Sequence, residues 1–142
     1  MDTKTLVSDD ARLGRLALEA LDKSQIQVSA AFWLHYGDTG AWKLWIATPE
    51  AGTNLQDAYV EVAQALSSFG PPVDDFDLSR IKLVTPNDPM VRALNAAIRV
   101  DGTSQVRFSR NVINGIYIED AIIYRLNRNE PKASPSEKRS ST

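Results

Sequence analysis

A chain of 142 residues, 43% hydrophobic and 24% charged, has the composition of one ordinary globular domain. At this size folding removes about 68–70% of the unfolded chain's surface from water, so neither disulfides nor a structural metal are required. The chain has no cysteine, which excludes disulfide frameworks, thiolate zinc sites and cysteine nucleophiles together.

The net charge of −2 conceals a more acidic body, because residues 128–142 carry four bases and two acids and leave 12 bases against 16 acids in residues 1–127. A body of that sign has no global attraction to phosphate, and no local basic patch stands out, so nucleic-acid binding is not expected. The opening MDTKTLVSDD lacks the apolar core of a signal peptide, and no apolar run reaches the roughly 18 residues that span a bilayer. A soluble, cytoplasmic protein with no membrane contact is the expectation.

The periodicity predicts three helices and five strands. The first helix, about Asp9 to Lys23, opens on Ser8 and Asp9 as cap candidates and sets Leu13, Leu16, Ala17, Ala20 and Leu21 on one stripe. A strand pair follows, from Ile26 to Tyr36 and from Ala41 or Trp42 to Thr48. Its even-numbered residues form one apolar set. Keeping that set on one face calls for a three-residue loop, Asp38-Thr39-Gly40. Leu34 would then face Leu44, and Trp33 and His35 would face Trp45 and Lys43 on the opposite side of the sheet.

The second helix repeats Leu55, Ala58, Tyr59, Val62, Ala63, Leu66 and Phe69 at intervals of three and four and stops at Gly70-Pro71-Pro72. A short strand is expected at Ile81 to Val84. The third helix begins with Asp88 as cap and Pro89 in its first turn, and buries Met90, Val91, Leu94, Ala97 and Ile98. The last pair of strands lies in RFSRNVINGIYIEDAIIYR, residues 107–125. There Asn114-Gly115 is the dipeptide most typical of a two-residue turn. That turn divides the apolar residues between two faces, whereas a three-residue loop, Ile113-Asn114-Gly115, gathers Val106, Phe108, Val112, Ile116, Ile118 and Ile122 onto one. The longer loop makes Arg110 and Asp120 diagonal neighbours that pair on the apolar side, with Glu119 opposite Ser109. The tail RNEPKASPSEKRSST is too poor in apolar residues to offset the entropy of ordering and is expected to be disordered.

The expected fold is thus a single α/β domain over residues 1–127, in the order α-β-β-α-β-α-β-β, with a mixed five-stranded sheet and two antiparallel hairpins, followed by a polar tail over 128–142. No Gly-rich phosphate loop, paired helical histidines, nucleophile elbow or calcium-loop spacing is present, and no cofactor is expected. Two tryptophans on the face away from the main apolar set, with the pair His35 and Lys43 beside them, suggest a protein-binding or self-association surface made of Trp33, His35, Lys43 and Trp45. The expected function is a non-catalytic interaction or accessory protein. The alternative is a small metal-dependent hydrolase or nuclease using Asp74, Asp75 and Asp77 or the group Arg110, Glu119 and Asp120.

Overall fold

A computed structural model of the chain describes residues 8–35, 42–98, 105–113 and 115–126. The expected order of elements is found: α1 (Ser8–Lys23), β1 (Ala30–His35), β2 (Trp42–Ala47), α2 (Leu55–Phe69), β3 (Ile81–Val84), α3 (Pro89–Ala97), β4 (Val106–Ile113) and β5 (Ile116–Leu126). They form a mixed α/β domain with one five-stranded sheet in the order β3-β2-β1-β5-β4. No described helix is long and apolar enough to cross a membrane. The polar tail and the Asp38-Thr39-Gly40 loop lie outside the described residues.

Each helix is bounded by the chemistry its sequence offers. The Asn54 side chain caps α2 by accepting from the Asp57 N–H, and Gly70 ends that helix at φ +95°. The Asp88 carboxylate accepts from the Met90 and Val91 N–H groups at the start of α3. α1 closes in a Schellman turn, in which the Ile26 and Gln25 N–H groups donate to the Leu21 and Asp22 carbonyls at 3.0 Å each, with Gln25 at φ +64° in the position glycine usually takes. Beyond it Ile26 and Val28 are buried, but regular pairing begins only at Ala30.

The strand registers differ from the expected ones, and the reason is that both faces of the sheet are covered. Trp33 pairs with Leu44, Phe32 with Trp45, Leu34 with Lys43 and His35 with Trp42. Consequently Ala31 and Trp33 share the α1/α2 face with Trp42, Leu44 and Ile46. Ala30, Phe32 and Leu34 share the α3 face with Trp45 and Ala47. The expected opposition of Trp33 with Trp45, and of His35 with Lys43, does not occur. A strand buried on both sides need not alternate apolar with polar, so apolar parity could not set the register.

The same correction applies to the second hairpin. Ile113 pairs with Ile116, so two residues separate the strands, and the three-residue loop is not used. Gly115 does sit at positive φ, +79°. The apolar face is kept by a change of parity within the hairpin. Val106 and Phe108 pack toward α3, and so do Ile113, Ile116 and Ile118. The change falls at Arg110, a non-glycine residue at φ +51°.

Beneath α1 the packing leaves no slack. A methyl group on Gly14 would meet the Trp33 indole and lie 2.6 Å from the Tyr124 hydroxyl and 2.9 Å from its ring. The Tyr124 hydroxyl donates to the Ala11 carbonyl, and the Arg15 guanidinium lies 5.1 Å from the ring centroid. Phe76 stacks on Trp33 at 6.0 Å, and Arg80, bound to Asp10 through both guanidinium nitrogens, covers the same indole at 4.6 Å. Glycine to alanine inside a helix ordinarily stabilises by about 1 kcal/mol. Here overpacking outweighs that gain, and Gly14→Ala should be less stable by a net of up to about 2 kcal/mol in a urea titration.

Burial pushes the Tyr124 phenol up to about 12, against the opposing effect of Trp33 and Arg15. Its neutral form therefore contributes stability that is complete below the ordinary tyrosine value of about 10 and is lost as the pH rises through about 12. Ultraviolet titration should show a late tyrosine step near pH 12, and Tyr124→Phe should abolish it.

Candidate functional site

The residues proposed from the sequence as one surface are dispersed by the observed register. Trp33 is fully buried under α1, and Trp45 lies on the other side of the sheet, stacked on Phe32 at 5.8 Å with the Lys82 ammonium 4.6 Å from its ring centroid. Lys43 reaches the Ser79 carbonyl at 3.2 Å. His35 is 3% exposed and packs edge-on to Trp42 at 5.4 Å, directly across the ladder from Asp120. Neither imidazole nitrogen has a hydrogen-bond partner among the described residues. The four residues therefore do not form a common outer face.

The acidic residues named for metal chemistry are likewise separated by role. Asp77 caps the turn Leu78–Arg80, accepting from the Ser79 N–H at 3.0 Å and its hydroxyl at 2.7 Å. These bonds, with the nearby Arg80 charge, hold its carboxyl below the usual range. Asp74 and Asp75 belong to the preceding turn, Val73–Asp75, and are exposed. Arg80 is ion-paired with Asp10 at 3.2 Å. A cleft of about 260 Å³ opens between α1 and α2, lined by Ser24, Ile26, Glu61, Gln64, Ala65 and Ser68, which is smaller than the roughly 300–1,000 Å³ of ordinary ligand pockets. At its edge a hydrogen bond to Glu61 raises the Glu50 carboxyl above its ordinary value.

The β4–β5 hairpin is where buried polarity and exposed apolar surface meet. At its base Asp120 is bound, but by Arg107 and not by the expected Arg110: Nε donates to Oδ1 at 2.7 Å and Nη2 to Oδ2 at 2.5 Å. The bond to Asp120 raises the Arg107 guanidinium above its ordinary value. Ser109, expected opposite Glu119, stands opposite Asp120 instead. The observed register places Arg107 opposite Ile122 and so diagonal to Asp120, and Arg110 is left exposed with no ion-pair partner among the described residues. At the tip Val112 stands opposite Tyr117 and the two are 60% and 52% exposed, while their neighbours Ile113 and Ile118 are buried on the α3 side. β1 pairs with β5 only from Asp120 to Leu126, so residues 116–119 extend past the described part of β1.

The two edges of the sheet are finished differently. At the β3 edge the Tyr59 hydroxyl donates to the Ile81 carbonyl at 3.3 Å and accepts from the Leu83 N–H at 3.1 Å, occupying the place a neighbouring strand would take. β4 pairs only with β5 among the described residues, and the Val112 N–H is met by the side chain of Asn111 at 3.1 Å.

No family model, curated protein or solved structure matches this chain. The chemistry of the hairpin is therefore the guide to function. Its base makes a direct claim: truncating Arg107 strands a mostly buried carboxylate, whose side chain is 12% exposed, and should destabilise by about 1–3 kcal/mol. Truncating Arg110 should change stability by less than about 0.5 kcal/mol. Denaturant midpoints of Arg107→Ala and Arg110→Ala give the comparison, and equal midpoints would refute the assignment.

Proposed function

We propose that this chain is a non-catalytic interaction or accessory protein, and that its partner protein meets it at the β4–β5 hairpin. The observation that carries this reading is the cross-strand pair Val112–Tyr117, two large side chains more than half exposed at the end of a hairpin whose opposite side is core. A tyrosine anchored on a rigid strand offers a large contact area at small entropic cost, and tyrosine is enriched among residues that dominate binding energy. The supporting geometry is the fixed base: Arg107 and Asp120 hold the two strands together below the tip, so the exposed pair is presented in one orientation.

A photo-reactive amino acid placed at position 117 should form a covalent adduct with one protein in the native host. The same group at position 60, where an exposed valine lies on α2, should not. The adduct should disappear when Val112 is changed to Ser, with the melting midpoint within a few degrees of wild type. Equal labelling from positions 60 and 117, or an adduct indifferent to the Val112→Ser change, would remove the hairpin as the interface.

A further inference from the structure

Resting on that reading of the hairpin, we infer that the β4 edge accepts an extended acidic segment of the partner as a sixth strand. Strand addition needs a free row of backbone donors and acceptors, and its affinity comes largely from those main-chain bonds. β4 supplies eight residues at the sheet edge, whereas the shorter β3 edge is already engaged by the Tyr59 hydroxyl. Both are edges with one neighbouring strand among the described residues; β4 is the longer, and there the Asn111 side chain takes the Val112 N–H and Arg110 is left-handed, which leaves Val106 to Ser109 as its regular stretch.

The charge on β4 selects the incoming segment. Its sequence VRFSRNVI carries Arg107 and Arg110 and no acid. The Arg107 side chain remains 51% exposed despite its bond to Asp120. Arg110, further along the same strand, is exposed as well, so a neighbouring strand bearing carboxylates meets a base at each of these positions. A second copy of the same strand does not. Antiparallel pairing of β4 with itself about its middle sets Ser109 against Arg110 and Arg107 against Val112, so neither base meets a carboxylate and the positive charges of two copies are brought together. The exposed Val112–Tyr117 pair adds an apolar anchor at the far end, which suits a segment that is acidic along most of its length and apolar at one end.

The test uses the full chain, labelled with nitrogen-15, and two soluble ten-residue peptides, one alternating Glu with Val and one alternating Lys with Val. The Glu peptide should shift the amide signals of residues 106–113 and slow their hydrogen exchange. It should bind at least tenfold more tightly than the Lys peptide and weaken as salt is raised. Arg110→Glu, whose fold is checked by its melting curve, should reverse the preference between the two peptides. Equal binding of both peptides, or shifts centred away from β4, overturns the inference. If adduct formation at position 117 persists in that case, the hairpin stands as an interface of another kind; if it is also lost, both readings fail together. Concentration-dependent dimers that protect the β4 amides would overturn the inference by making a second copy the occupant.

Discussion

All six residues of β1, Ala30 to His35, are buried, and because side chains of a strand point alternately to its two sides, each side must be covered by a separate layer. That requirement organises the domain. α1 and α2 close the side of Trp33, and α3 closes the side of Phe32 and Leu34. The topology makes this division economical. β2 and β3 are parallel neighbours joined through α2, the usual crossover arrangement. The chain then has to pass from the β3 edge to the β4 edge at the opposite end of the sheet, and α3, which lies between those strands in sequence, covers the remaining face.

The two layers are held by different chemistry. The α1/α2 side has an aromatic and cationic stack, in which Arg80 lies over Trp33, Arg15 over Tyr124, and Gly14 allows the helix backbone to approach both rings. The α3 side is aliphatic apart from Phe32, Trp45 and the flanking Phe108. Close packing of polarised rings is less tolerant of added volume than an aliphatic layer that can shift rotamers. The pair Arg107 and Asp120 adjoins the α1 side through Ile122, which stands opposite Arg107 and packs in the same cluster as Tyr124.

The elements themselves were legible in the sequence because their signals are local. The heptad-like spacing in α2, the Asp88-Pro89 start of α3 and the Gly70 stop of α2 each specify a boundary by one or two residues. Register was not legible, because it depends on which faces are covered, and that is decided by helices distant in sequence. For AAFWLH, two buried faces and one buried face are compatible with the same letters. Asn114-Gly115 shows the converse: the local turn preference agreed with the observed two-residue spacing, and a parity argument carried across the whole hairpin pointed elsewhere. The parity change at Arg110 has no clear mark in the sequence, since a left-handed residue is normally announced by Gly or Asn. Without it the three-residue loop was the only way to keep one apolar face, and that register made Arg110 rather than Arg107 the partner of Asp120. It also placed Val112 with the core, and so hid the exposed pair it forms with Tyr117.

The Tyr59 hydroxyl has a consequence for assembly beyond the edge it covers. A sheet that can accept strands at both ends is a monomer of a potential fibre, because every addition regenerates an acceptor. By bridging the Ile81 carbonyl and the Leu83 N–H, a single phenol makes this sheet one-ended. Head-to-tail joining of β3 in one copy to β4 in the next would have to displace that hydroxyl first, so the phenol stands against an open-ended stack of sheets.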